Sequence, residues 1–335
     1  MESSKKALRG VNLGGWLLLE KWMTESLFEG TGAIDEYTFM QIDDAASRLE
    51  KHRQTFIREE DFQWLAAHGI AAVRIPIGYW IFDGDAPYTA GISYLDWAVD
   101  MAEKYELKVL LDLHGAKGSQ NGKDHSGRIG ASEWYRRADY RQQTINVLVK
   151  LAERYYHNDC VWGIELLNEP KIGLFHFTLR RFYNQAYDAL IKAARPGTYI
   201  VFHDSFTPRL MTGAVLGSPS LPVAMDVHWY QFGSLLNKYQ KLNRYFKKVA
   251  RRKNLIHRLS QRQPIIVGEW SVVLTGDILG SDSTKHEQEV RFKEHARRQI
   301  EVYDDALAWF YWTYKTEGRG IWHFRSQVED GVIVL

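Results

Sequence analysis

The sequence predicts a (β/α)8 TIM barrel, and three observations carry that prediction. Strand-like and helix-like stretches alternate eight times along 335 residues, with no linker-like composition between them. The length suits one α/β barrel with insertions, so a single domain over residues 1–335 is expected. No Gly-x-Gly-x-x-Gly follows any predicted strand, which counts against the rival fold, an open doubly wound sheet that binds dinucleotides.

Taken in order, the first strand is expected over residues 8–13, before a long loop rich in glycine and aromatics. Thr55 opens a helix ending near His68, with Gly69 as its stop. Strand two covers residues 71–77, closed by Pro76 and Gly78, and the Ser93/Asp96 spacing predicts a capping box at the next helix. Strand three covers residues 108–114, its glycine-rich loop residues 115–130, and a helix residues 140–156. Strand four is the most informative. Six of the seven residues 161–167 are apolar or glycine, as in a parallel strand buried on both faces. Period two puts Glu165, Leu167 and Glu169 on one face, and Pro170 is expected to hold Glu169 extended and stop the strand. Glu165, the deeper acid, is read as buried, paired and structural.

A helix over residues 177–194 precedes strands at 199–203 and 224–230. A further helix, residues 235–259, places Leu235, Tyr239, Leu242, Phe246 and Val249 at helical spacing. The basic residues between Lys238 and Lys253 then form its outer, solvated face rather than a membrane patch. Strand seven is expected at 264–270, a helix capped by Thr284 and Glu287 next, strand eight at 306–312, and one short helix within residues 321–335.

Composition narrows the function. A 45% hydrophobic content supplies a large core, and a net charge of +2 calls for no acidic partner and no nucleic acid. The one cysteine, Cys160, excludes an intrachain disulfide. Residues 1–6 are polar, and no apolar run reaches about 18 residues, so neither a signal peptide nor a membrane span is expected. The expected location is cytoplasmic, or outside the cell after removal of a leader. Aromatic content of 13%, with 12 tryptophans, provides both core packing and stacking platforms for a ligand with apolar faces, such as a sugar.

A barrel should crowd its functional groups at the C-terminal strand ends. Arg74 lies on strand two, Asp112-Leu113-His114 end strand three, and Asn168-Glu169 end strand four. His228-Trp229-Tyr230 end strand six, Glu269-Trp270 strand seven and Trp312 strand eight. A single buried Arg or His is usually a structural partner; so many at matching positions would be costly to bury without purpose. Glu169 and Glu269 are read as the glutamates at strand ends. Two carboxylates across an aromatic-lined mouth are the equipment of a glycoside hydrolase, and Arg74 can keep one of them ionised.

These residues also carry a resemblance. Residues 9–16 (RGVNLGGW), 74–80 (RIPIGYW), 112–115 (DLHG), 118–122 (GSQNG), 167–170 (LNEP), 267–270 (VGEW) and 309–313 (WFYWT) resemble glycoside hydrolase family 5, and its exo-β-1,3-glucanase branch in particular. The resemblance covers nearly the whole chain in order. It implies a retaining enzyme that releases glucose from non-reducing ends of β-1,3-glucans, with no cofactor or metal. A broader β-glucosidase on short oligosaccharides or glucosides is the alternative. It further implies Glu169 as acid/base and Glu269 as nucleophile, with Arg74 and Tyr230 positioning Glu269. Asn168 would bond the sugar 2-hydroxyl, His114 and His228 would line the −1 subsite, Trp312 would form its floor, and Glu20 would bind the terminal glucose. A cis peptide at Trp312-Thr313 is implied as well.

The branch's fungal members clamp the +1 sugar between two phenylalanines. Here those positions fall on Lys123 and Gly233, with Phe232 and Trp229 as the nearest substitutes. Two other functions are weighed. A metal-dependent hydrolase would use His114, His228 and Asp112, but no His-x-His follows strand one. A catalytically dead sugar-binding barrel would not need both glutamates.

Overall fold

The computed structural model describes residues 7–171, 176–230, 242–274 and 284–335. Eight parallel strands close into a barrel in chain order, β1 pairing with both β2 and β8. They are β1 (Leu8–Asn12), β2 (Ala72–Gly78), β3 (Lys108–Gly115), β4 (Val161–Glu165), β5 (Tyr199–His203), β6 (Val223–His228), β7 (Ile265–Trp270) and β8 (Ala308–Tyr311). Before β2 come α1 (Glu36–Phe39), α2 (Ala45–Phe56) and α3 (Glu59–Ala67). Around the barrel follow α4 (Ile92–Lys104), α5 (Ala138–Arg154), α6 (His176–Leu190), α7 (Pro208–Met211), α8 (Leu242–Ser260), α9 (Lys285–Tyr303) and α10 (Phe324–Glu329).

Strand periodicity explains where the site sits. Inward residues low in the barrel, among them Ala72, Leu110, Val201, Ala224, Ile266 and Ala308, form an apolar plug. Two residues further along each of these strands stand Arg74, Asp112, His203, Asp226, Gly268 and Phe310. One step of the pleat therefore moves most of the barrel interior from hydrocarbon to polar or charged groups. The main apolar core lies outside the strands, under the helices.

Several local expectations needed correction. The helix expected from Thr55 is two helices, because Ile57 is extended and Arg58 starts α3, whose Asp61 accepts from the Arg58 N–H. Ser93 caps nothing. Gly91 is the N-cap of α4, and Asp96 instead pairs with Arg154 across to α5. Only the one-turn α7 lies between β5 and β6 among the described residues. The box of Thr284 and Glu287 at α9 is present, as is the turn at Gly69 with φ +75°. Residues 235–241 of the expected basic helix, like Phe232 and Gly233, lie outside the described residues. No helix among those described is long and apolar enough to cross a membrane.

Candidate active site

Strand four ends earlier than its apolar run suggests. The ladder stops at Glu165, and Glu169 is not extended but left-handed, with φ +39°. A non-glycine residue held there is strained and needs its surroundings to enforce it. Three side chains do so: Gln120 Nε2 donates to Asn168 O at 2.9 Å, Asn121 Nδ2 to Glu169 O at 3.0 Å, and Ser205 Oγ to Pro170 O at 3.0 Å. The twist lifts the Glu169 carboxylate into the mouth. Glu165 stays below, bonded by Arg74 Nε at 2.8 Å, as a buried structural acid should be.

Glu269 sits within β7, where the register against β6 shifts beside His228. Such a bulge re-aims side chains. Gly268 precedes it, and only glycine fits, because a Cβ would lie 2.0 Å from Asp226 Oδ2.

Arg74 joins the two halves of the site. Its guanidinium is fully buried and reaches Glu165, Asn12 Oδ1 (2.8 Å), Glu269 Oε1 (3.3 Å), Asn168 Oδ1 (3.0 Å) and Asp112 Oδ2 (3.0 Å). Burial works against its charge, but Asp112, Glu165, Glu269 and Asp226 more than offset this and keep it protonated. Because Asn168 Oδ1 accepts from Arg74, its Nδ2 is left to donate to His114 Nε2 at 3.1 Å. The His114 proton then lies on Nδ1 and goes to Asp112 at 2.6 Å.

Tyr230 Oη donates to Glu269 Oε2 at 2.7 Å, and burial plus that carboxylate push its pKa up, so it remains a donor. His228 lies between the two glutamates. Its Nδ1 is 2.8 Å from Glu169 Oε1 and 3.3 Å from Glu269 Oε2, while Nε2 faces Asp226 at 3.2 Å. Burial lowers its pKa, but Glu269, Asp226 and Glu169 raise it well above the ordinary imidazole range. Because both carboxylates touch this one nitrogen, their nearest oxygens are at most about 6 Å apart.

The cavity above this frame holds about 630 Å³. His114, His228, Tyr230, both glutamates and Trp312 line it, together with Glu20. Trp312 stacks on His114 with ring centroids 5.5 Å apart, and its peptide to Thr313 is cis as expected. Glu20 Oε2 accepts from Trp22 Nε1 at 2.9 Å; burial raises the Glu20 pKa well above the usual carboxylate range.

Five lining residues were not anticipated: Trp22, Asp124, His125, Phe206 and Trp322. His125 Nε2 is 3.4 Å from Glu169 Oε2, and burial lowers its pKa to about 3. Phe206 follows β5; His203, which meets His228 edge to face with ring centroids 4.4 Å apart, ends the same strand. Trp22 and Trp322 meet edge to face at 5.3 Å. Lys123 lines the mouth, its Nζ 3.6 Å from Glu169 Oε2 and 6.0 Å from the Phe206 ring. Trp229 is not a substitute clamp. It turns away from the cavity, under Arg252 and beside Tyr303. Nor do His114, His228 and Asp112 converge. Among the described residues, the groups whose ligand atoms come together are Glu169/His203/His228 and Glu165/Asp226/His228.

A carboxylate pair bridged by one imidazole, set on a charged frame in an aromatic-walled barrel mouth, is the equipment of a glycoside hydrolase. Comparison with known proteins agrees. The family model described as Cellulase (glycosyl hydrolase family 5) matches residues 41–318. A probable glucan 1,3-beta-glucosidase A from Aspergillus niger is 36% identical over 363 residues, covering 95% of this chain and 85% of its own. A glucan 1,3-beta-glucosidase from Blumeria graminis is 35% identical over 381 residues, covering 98% and 87%. The crystal structure of a rutinosidase from Aspergillus niger superposes with a TM-score of 0.80 at 20% identity over 99% of each chain, a likeness of fold. The chain belongs to glycosyl hydrolase family 5 and is a retaining glycoside hydrolase.

Proposed function

We propose that this enzyme releases glucose from the non-reducing ends of β-1,3-glucans by double displacement. The observation that carries the reading is the pair of glutamates on His228, with the cationic Arg74 and the donor Tyr230 both on Glu269. Glu269 is then the nucleophile that attacks the anomeric carbon. Glu169 protonates the departing oxygen and afterwards takes a proton from water. Asn168 receives the sugar 2-hydroxyl, His114 and His228 flank the −1 ring, Trp312 stacks under it, and Glu20 with Trp22 closes the far end around the terminal hydroxyls. Glucose and the β-1,3 linkage rest on the names of the relatives. Digestion of laminarin, cellulose and lichenan oligosaccharides tests this: glucose should be the first product, fastest from laminarin. Early release of longer oligosaccharides, or a preference for cellulose, would contradict it.

The proton that Glu169 must donate is already in the site. Burial raises the Glu169 pKa, but the His228 hydrogen bond and nearby imidazoles outweigh it and hold the carboxyl well below its usual range. Burial raises Glu269, and the charge of Glu169 adds to this, while His228 and Arg74 oppose it. The three groups titrate as one unit with a proton on His228. Transfer along the 2.8 Å contact leaves a neutral Glu169 ready to act as the acid. His228→Asn removes the bond that lowers Glu169 and the cation that lowers Glu269, so both pKa values rise. Activity needs Glu269 ionised and Glu169 protonated. The acidic limb of the kcat/KM profile, set by ionisation of Glu269, should therefore move to higher pH; an unmoved or downward-shifted acidic limb would contradict this.

A broader β-glucosidase is the second reading, favoured by Lys123 at the mouth where an aromatic clamp is expected. A facing aromatic pair contributes about 0.5–1.5 kcal/mol beyond area burial, so its loss weakens a +1 sugar roughly threefold to tenfold. Hydrolysis should then prevail over transfer. Lys123→Phe, which faces Phe206, should raise the transglycosylation fraction at equal substrate concentration. An unchanged product ratio would count against Lys123 as the cause.

A further inference from the structure

A second concave site lies outside the catalytic cavity and shares no lining residue with it. This groove, of about 480 Å³, is walled by Arg209 of α7, Trp229 after β6, and Lys248, Arg251, Arg252 and Arg258 of α8. Its charge is one-sided. The α8 helix carries seven Lys and Arg in 19 residues and no carboxylate. The neighbouring α9 shows the usual alternative, since Arg297 pairs with Glu294 and Glu301, and Arg298 with Glu294. Among the described residues α8 makes one ion pair, Lys253 with Asp305, and Lys253 does not line the groove. Arg209, Lys248, Arg251 and Arg258 have no ion-pair partner there.

The groove has a fixed floor and an adaptable rim. Arg252 is buried, its guanidinium 4.9 Å from the Trp229 ring centroid, with Nη1 donating to Trp229 O at 3.2 Å and Tyr303 Oη at 2.6 Å. Arg209, Lys248, Arg251 and Arg258 are exposed around it. Partial burial and the charge of Arg252 push the Lys248 pKa down. Converging cations in a concavity focus a field that attracts anions, and guanidinium forks match phosphate oxygens in pairs. We propose that this groove is a binding site for a multiply charged phosphoryl group, carried by a small soluble ligand or by a lipid headgroup.

Titration calorimetry of the full chain with inorganic pyrophosphate at low ionic strength tests the proposal, with vesicle co-sedimentation as a second arm. Saturable one-site binding is expected, weakening as salt is added. The double reversal Arg251→Glu/Arg258→Glu should weaken it at least tenfold, whereas Lys192→Glu, outside the groove, should not. Both variants should retain hydrolysis of an aryl glucoside, which shows that they fold. Binding only to vesicles of phosphatidic acid and phosphatidylcholine, lost in the same double variant, would assign the phosphoryl group to a lipid. Absence of binding to both probes would overturn the proposal, as would equal weakening by Lys192→Glu.

Discussion

Glu269→Gln is expected to reduce kcat on the order of 10⁵-fold with the fold intact, because the amide cannot form the glycosyl-enzyme. The substitution is nearly isosteric: the amide oxygen can keep the Arg74 contact, now 3.3 Å, while its NH2 can donate to Tyr230 Oη, which now donates to the carboxylate at 2.7 Å. Glu169→Gln should behave differently. Losing a general acid costs roughly 10²–10⁴-fold, and the cost depends on how much protonation the leaving group needs. Natural glucans should suffer the full loss, while aryl glucosides with good leaving groups should form the intermediate nearly as fast as before and then accumulate it. A burst of aryl alcohol in Glu169→Gln, and none in Glu269→Gln, separates the two roles. Equal losses on both substrate types for both variants would reverse or dissolve the assignment.

Arg74→Met is expected to destabilise the protein by about 3–5 kcal/mol, since removing one member of a buried charge network leaves the others uncompensated. Arg74 is the cation that Asp112, Glu165 and Glu269 share, at 3.0, 2.8 and 3.3 Å. Glu165 Oε1 and Asp112 Oδ1 already lack a protein hydrogen-bond partner, so no second donor stands ready. Activity should fall with stability, because the same side chain orients Asn168 and holds Glu269 ionised. Arg74→Lys keeps the charge, but a single ammonium cannot span Asn12, Asn168, Glu165 and Glu269 together. It should recover only part of either loss. An unchanged denaturation midpoint in Arg74→Met would show that the carboxylates below the cavity carry protons rather than relying on this cation.

Much of this frame was legible in the sequence, because a barrel strand places inward groups at fixed intervals. His114, Asn168, Glu169, His228, Tyr230, Glu269 and Trp312 all stand near C-terminal strand ends, Arg74 lies deeper in β2, and all face one cavity or its floor. Glu165 was separable from Glu169 by depth alone. Two kinds of position were not legible. The run Leu166-Leu167 continues the apolar pattern after the ladder has ended, so the left-handed turn at Glu169 is invisible to periodicity; it depends on Gln120, Asn121 and Ser205 from other loops. His125, Phe206, Trp22 and Trp322 stand on loops, where no period says which way a side chain points. Trp229 shows the converse: next to two inward residues at a bulge, it turns outward against Arg252.

Trapping the glycosyl-enzyme tests the central claim most directly. A fluorinated glucoside that forms the intermediate quickly and hydrolyses it slowly should inactivate the enzyme and add one sugar mass to the intact protein. Peptide mapping should then place that mass on Glu269, and NMR of early turnover should show the β-anomer of glucose released first. A label on Glu169 or any other residue, or first release of the α-anomer, would contradict the account.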